Sequence, residues 1–274
     1  MPAYICSTCG VQQAPSADPP DHCPICADER QYVSRAGQSW TTMEELQPGH
    51  HLELTELEPD LFQLATVPPV GIGQRALLVR TALGNLLWDC LTYLDPATKQ
   101  AVATLGGIAA IAISHPHFYG SCADWSDAFG GVPIYLSELD QRHLVRPIRS
   151  VIHFAGDEVQ LGEGVRVLRL GGHFAGSTVL LWDAGAEGRG VLLTGDTIAV
   201  AADRRWAAFL YSYPNRIPLP AREVQSIADR ISELRFDRLY GGWPGDVIGA
   251  GAREAVLRSA RRYLGMLDGS WPRG

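Results

Sequence analysis

The sequence predicts an α/β domain with a small metal-binding appendage at its amino end, and three observations carry that reading. Four of the six cysteines fall within the first 26 residues, as two Cys-x-x-Cys pairs. From Leu61 onward, short apolar runs of strand length are separated by glycine-rich turns, and these runs then alternate with stretches of helical periodicity. Near the carboxyl end, two stretches place their apolar residues on one face, as helices packed on a sheet do. A chain of 274 residues, 46% hydrophobic and 19% charged, is long enough to bury a full core.

The first segment, residues 1–35, carries Cys6, Cys9, Cys23 and Cys26, with 13 residues between the two pairs. A Cys-x-x-Cys turn brings both sulfurs toward one tetrahedral ion, and Gly10 supplies the positive φ that such turns need. The segment resembles a zinc ribbon and, less closely, a rubredoxin, whose second knuckle shares the Cys23-Pro24-Ile25-Cys26 pattern. Zinc is the expected metal, ahead of iron, in a structural role: so short a segment buries too little surface to fold without one. Residues 36–60 form a connector, with Pro48-Gly49 and Pro59-Asp60 as turns and a helical turn near Met43 to Leu46. His50 and His51 lie in it without an apolar periodic setting and are not expected to bind metal.

Strands are expected at Leu61 to Val67, Ala76 to Arg80 and Asn85 to Asp89, the last two joined as a hairpin through Thr81-Ala82-Leu83-Gly84. A helix from Ala97 to Leu105 then precedes the apolar run Ile108 to Ile113. Another strand runs from Val165 to Leu170. Helices are expected at Arg222 to Leu234, with Val224, Ile227, Ala228, Ile231 and Leu234 on one face, and at Arg253 to Leu267, with Val256, Leu257, Ala260, Tyr263, Leu264 and Leu267 on one face. There is no repeat at a solenoid period.

The net charge of −7 comes from 30 acidic and 23 basic residues, of which Lys99 is the only lysine, and this balance argues against nucleic acid as a partner. No run approaches the roughly 20 apolar residues needed to span a bilayer, and Met1 to Cys6 lacks the regions of a signal peptide. The expected location is the cytoplasm, whose reducing conditions suit clustered metal-binding cysteines. Cys90 and Cys122, outside the cluster, are expected to be buried small hydrophobes.

Metal-ligand types recur at three strand ends. Ser114-His115-Pro116-His117 follows the run ending at Ile113, Gly171-Gly172-His173 follows Val165 to Leu170, and Leu193-Thr194-Gly195-Asp196-Thr197 closes a third apolar run. In an extended segment alternate residues share a face, so His115 and His117 can reach one ion at about 2.0–2.1 Å. Three neutral imidazoles leave a zinc ion's charge unreduced, so water bound to it ionises near pH 7 and attacks a carbonyl or phosphoryl centre. Asp196 either ligates the ion or orients that water as a base.

His115-x-His117 after an isoleucine-rich strand, Gly171-Gly172-His173-x-x-Gly176-Ser177 and Leu193-Thr194-Gly195-Asp196-Thr197, in that order, resemble the metallo-β-lactamase superfamily. Its pattern is His-x-His-x-Asp-His, then His, then Asp, then a final His, and the resemblance covers residues 61–274. It implies an αβ/βα sandwich with metal in a cleft between the edges of two sheets. Three departures stand out: Tyr119 replaces the motif aspartate, Gly120 the next histidine, and Trp243 the final histidine. All three positions serve the family's second metal, so the resemblance implies a mononuclear centre, holding one zinc or Fe(II), on His115, His117, His173 and Asp196.

Around that centre, Asp89 matches a family strand-end aspartate that orients the histidines, and Tyr119 is placed to donate to an oxyanion or protonate a leaving group. Tyr211, Tyr213 and Trp243 are expected to contact substrate, and the stretch from Arg204 to Arg216, rich in arginine and aromatics, to favour an anionic group on it. The expected function is hydrolysis of a small ester, thioester, lactone or amide. The alternatives are a non-haem iron oxidoreductase or dioxygenase of the same superfamily and a non-catalytic ligand-binding module. A small-molecule substrate is the expected partner, with neither nucleic acid nor membrane. A two-metal phosphodiesterase is disfavoured, because the ligands of the second ion are missing.

Overall fold

A computed structural model describes residues 1–272 and divides into two units, Met1–Ala155 and Gly156–Gly274. The first is built on a seven-stranded sheet whose spatial order follows the chain: His51–Glu58, Leu61–Val67, Ala76–Val79, Leu86–Trp88, Ala110–Ala112, Ile134–Ser137 and Val151–Phe154. The first four strands are antiparallel neighbours and the remaining pairings are parallel. The change follows from the connections. Leu86–Trp88 pairs with Ala76–Val79 through the expected hairpin, closed by Thr81 Oγ1 donating to the carbonyl of Gly84 at 2.6 Å. Parallel pairing needs a crossover, and the helix Pro96–Thr104 supplies the first. Asp95 caps that helix by accepting from the Thr98 amide at 2.6 Å, Pro96 starts it, and Gly106 and Gly107, both at positive φ, lead out of it.

The expected first strand of this sheet began at Leu61, but the structure has one before it. His51–Glu58 pairs along its length with Leu61–Val67, and Asp60, at φ 65°, turns the chain between them. Its exposed residues include His51, Glu53, Thr55 and Glu56, so it reads as polar connector although Leu52 and Leu54 alternate with them. Such charge suits an edge strand, whose outer groups face water. Met43–Leu46 is the expected helical turn, held by a reciprocal capping box between Thr42 and Glu45.

The cysteine segment is stitched into the rest of the first unit. Ile5–Cys6 pairs with Trp40–Thr41, past residue 35. Ile5 also shares a small core with Leu46, Val70 and Tyr93.

The second unit contains a six-stranded sheet in the order Glu158–Gly162, Val165–Arg169, Thr178–Trp182, Val191–Leu193, Arg238–Tyr240 and Val247–Ile248. Only the pairing of Val191–Leu193 with Arg238–Tyr240 is parallel. Two helices, Ala221–Ser232 and Ala252–Asp268, close its core, each within a residue or two of the expected span. Val224, Ile227 and Ile231 from one and Val256 and Ala260 from the other pack with Leu168, Val179, Leu181 and Leu192 of the sheet. Among the described residues no helix is long and apolar enough to cross a membrane.

Candidate metal centres

Cys6, Cys9, Cys23 and Cys26 are all buried, and their sulfurs lie within 4.8 Å of one another. The Cys6–Cys26 and Cys9–Cys23 sulfur separations are 3.5 and 3.7 Å. These exceed a disulfide bond by well over an ångström; they match the edge of about 3.8 Å of a tetrahedron with metal–sulfur bonds of about 2.3 Å. Crowding also splits the thiols. Cys6 is held below the usual thiol range by its bonds to Cys23 and Cys26, and Cys23 by its bond to Cys26. Cys23 in turn pushes Cys9 and Cys26 above that range. A cation would let all four exist as thiolates, and two side-chain amides are already aimed at that charge: Gln38 Nε2 donates to Cys6 Sγ at 3.2 Å and Gln13 Nε2 to Cys23 Sγ at 3.9 Å. The four residues therefore fit a tetrahedral metal.

In the first unit, the parallel strand Ala110–Ala112 leads into the loop that bears His115 and His117. Alternate spacing predicts an extended segment for both. Instead His115 is extended and Pro116–Phe118 forms a 3₁₀ turn, with Pro116 at its start. The turn leaves the two rings edge to face, centroids 5.1 Å apart, and both residues buried. Asp89, at φ 62°, accepts the Ser114 amide at 2.7 Å on Oδ1. Ser114 Oγ lies 2.9 Å from His115 Nδ1. With Nδ1–H donating to that hydroxyl, Nε2 carries the lone pair a metal needs. Burial lowers the pKa of His115 to about 3, so the ring stays neutral. Asp89 thus reaches the loop through the Ser114 amide, and Ser114 is a contributor the sequence reading missed; its position directly before the histidine motif was the available signal.

In the second unit, Gly171 and Gly172 take positive φ, at 70° and 83°, to bring His173 round from the strand end. A side chain at 172 would meet Ile227 and Leu219 at 3.0–3.1 Å. His173 Nδ1 lies 3.2 Å from the Leu210 carbonyl, and its Nε2 lies 3.8 Å from Asp196 Oδ2. Asp196 sits in the turn after Val191–Leu193, which Thr194 Oγ1 ties to the Ile198 carbonyl at 2.7 Å. Burial raises the Asp196 pKa to about 6, an effect that His173 partly offsets.

His115, His117, His173 and Asp196 make up the other metal-ligating group among the described residues: each offers one ligand atom, and these atoms lie within 4.8 Å of one another. Three imidazoles and one carboxylate, all buried, fit a zinc or Fe(II) ion.

No family model matches the chain. It is 47% identical over 270 residues to the uncharacterized protein YmaE of Bacillus subtilis strain 168, covering 98% of each chain. The chain belongs to the family of YmaE. Its fold is that of the metallo-β-lactamases. Solved structures with this fold include FIM-1 from Pseudomonas aeruginosa in its mono-zinc form, at TM-score 0.55 and 16% identity over 81% of this chain and 97% of that one. DIM-1 aligns at TM-score 0.57 and 15% identity over 77% and 97%. A B3 enzyme with an active-site glutamic acid aligns at 0.55 and 19% over 79% and 90%.

In this YmaE-family chain the remaining expected site residues fall into different surroundings. Tyr119 lines a small cavity with Val11, Gln12, Cys122, Arg146 and Ile148. Burial, followed by Asp140 and Cys122, pushes its pKa well above the usual tyrosine range. Gly120 is locked as glycine: its φ is 50°, and a Cβ there would meet the Leu91 carbonyl oxygen at 2.5 Å. Tyr213 donates its hydroxyl to the Asp196 carbonyl at 2.9 Å and sets its ring edge to face against His173, centroids 5.6 Å apart. Tyr211 packs against the core of the second unit, and Trp243 opens the turn closed by the Asp246 amide at 3.0 Å.

The arginine- and aromatic-rich stretch is occupied largely with the carboxyl-terminal helix. Trp206 is covered by the guanidinium groups of Arg258 and Arg262, 4.6 and 3.6 Å from its ring, and Phe209 is buried against Tyr263. Cys90 and Cys122 are buried, and burial pushes Cys90 upward and Cys122 up to about 12, so both remain thiols. His50 Nδ1 lies 2.9 Å from the Leu46 carbonyl, and neither His50 nor His51 belongs to either ligand group.

Proposed function

We propose that this protein is a metal-dependent hydrolase of a small ester, thioester, lactone or amide, with one ion held by His115, His117, His173 and Asp196. The observation that carries this reading is the convergence of three histidines and one buried carboxylate from strand-end loops of a metallo-β-lactamase fold. An ion so held supplies Lewis acidity and lowers the pKa of water. His115 is kept neutral by burial and oriented through Ser114. Asp196, a buried carboxylate, would hold the ion and help to orient the attacking water. Tyr213 steadies both His173 and the Asp196 turn, and we assign substrate contact to Trp243.

Two observations favour a mononuclear centre. The last histidine of the superfamily's His-x-His-x-Asp-His motif falls at Gly120, where no side chain fits, and FIM-1, which shares the fold, has been seen in a mono-zinc form. We assign zinc to both centres and place the protein in the cytoplasm, whose reducing conditions would keep the four clustered cysteines from pairing as disulfides.

Elemental analysis of protein purified without added metal or chelator tests the proposal. Wild type should carry two equivalents, and His115→Ala/His173→Ala should lose one of them together with metal-dependent hydrolysis of an ester and thioester panel. Iron in place of zinc at that site would turn the reading toward oxygen chemistry. A histidine variant with undiminished metal would overturn it.

A further inference from the structure

The four-cysteine knuckle and the loop bearing His115 and His117 share a seam within the first unit. Gln12, three residues beyond Cys9, is 4% exposed, and its amide donates to the Gly120 carbonyl at 3.0 Å. Its side chain continues the seam: Nε2 donates to Asp124 Oδ2 at 2.7 Å, and Oε1 accepts from Arg146, which also bonds Asp124 Oδ1 at 2.8 Å. Asp124 lies in the helix Cys122–Ala128, directly after the histidine loop.

On its other side the knuckle is wedged into the same structure. Thr92 Oγ1 donates to the Gly10 carbonyl at 2.9 Å, and Ser121 and Cys90 clamp the loop through Ser121 N to Leu91 O at 3.1 Å and Cys90 N to Phe118 O at 3.2 Å. The approach is close enough that a Cβ at Gly71 would lie 2.6–2.8 Å from the backbone of Cys9 and Gly10. The knuckle is therefore part of the wall against which the loop from His115 to Ser121 is set.

We propose that metal in the four-cysteine centre positions the histidine loop, so that the two centres bind metal cooperatively, with Gln12 as the positioning residue between them. Metal at Cys6, Cys9, Cys23 and Cys26 fixes the Cys9 to Gln12 turn, that turn fixes Gly120, and Gly120 ends the loop on which His115 and His117 sit. The coupling rests on the assignment of His115, His117, His173 and Asp196 to one ion. By linkage, each metal raises the affinity of the other site by the same factor.

The test is competitive zinc titration of the intact protein with its histidine centre emptied, comparing wild type, Gln12→Ala, Gly71→Ala and His115→Ala/His173→Ala. Amide exchange over residues 115–121 is followed in parallel. Gln12→Ala, which removes the side-chain bonds to Asp124 and Arg146 but keeps the backbone bond to Gly120, should retain its cysteine-site zinc yet bind zinc at the histidine centre about fivefold more weakly, the low end of coupling between linked sites. Exchange over the loop should rise in the same variant, and Gly71→Ala should do the same if it folds. Zinc affinity and loop exchange unchanged in both Gln12→Ala and Gly71→Ala, with wild type taking up a second zinc that the histidine variant cannot hold, would overturn the coupling alone. No second uptake by wild type would overturn the assignment of the ligands, and the coupling with it.

Discussion

The two metal centres are built in opposite ways. All four sulfurs of the first come from one stretch between Cys6 and Cys26, whereas the second collects two histidines from the loop after Ala110–Ala112, a third after Val165–Arg169 and a carboxylate after Val191–Leu193. A centre drawn from one short stretch organises the chain around itself, because the metal replaces a core the segment lacks. A centre drawn from several loops can form only once the sheets have formed, so its precision depends on what holds those loops. The surroundings reflect this: amides of Gln13 and Gln38 face the sulfurs directly, while Asp89 and Ser114 brace the backbone and ring of His115.

The largest effect should separate the centres outright. Cys6→Ser/Cys23→Ser is expected to lose the cysteine-site metal entirely and to melt well below wild type, since structural zinc contributes on the order of 10 kcal/mol in isolated zinc-finger segments. Metal analysis with circular dichroism melting checks this. Equal melting temperatures would mean that the first centre is an ornament on an independently folded domain, and the contrast between the two centres would fail.

Asp196 offers the next test, in metal-free protein. Its folded pKa of about 6 lies above the ordinary carboxylate value, so between about pH 4 and 6 the folded state binds the proton more tightly than the unfolded chain. The Asp196 contribution to stability therefore falls as pH rises through that window. Metal-free Asp196→Asn should match wild type below about pH 4 and exceed it by up to about 3 kcal/mol above pH 6 in denaturant unfolding. A difference that does not change with pH would show that Asp196 titrates normally. In metal-loaded protein the ranking should reverse, because the carboxylate then has a cation beside it.

Gly120→Ala should destabilise by about 2 kcal/mol, from positive φ and from the collision with Leu91. Gly120→His should fail to recruit a second ion into the histidine centre, as read by elemental analysis; a gained equivalent would break the mononuclear reading. Ser114→Ala, the mildest change, should leave the cysteine centre untouched and weaken zinc binding at the histidine centre about tenfold. No change would show that Ser114 Oγ does not set the His115 ring.

Much of this was legible in the sequence because it was local. Cys-x-x-Cys spacing, the periodicity of the helices Ala221–Ser232 and Ala252–Asp268, and ligand types at the ends of apolar runs are all patterns over a few residues. The first sheet strand, His51–Glu58, was hidden by edge polarity that local reading takes for connector. Trp206 showed the other limit: an aromatic beside arginines resembles a substrate wall, yet its arginine partners come from the helix Ala252–Asp268.

The sequence by itself determined which residues can serve as metal ligands, the number of clustered cysteines and the class of fold, since spacing and periodicity specify these without knowledge of distant partners. Tertiary structure alone decided that Gly120 admits no side chain, that Ser114 meets His115 at the start of a 3₁₀ turn, and that Gln12 joins Asp124 and Arg146 across 112 and 134 residues of chain. A hydrogen bond or a steric limit depends on which backbone comes to lie alongside, and for residues so far apart the chain acquires that neighbour only by folding.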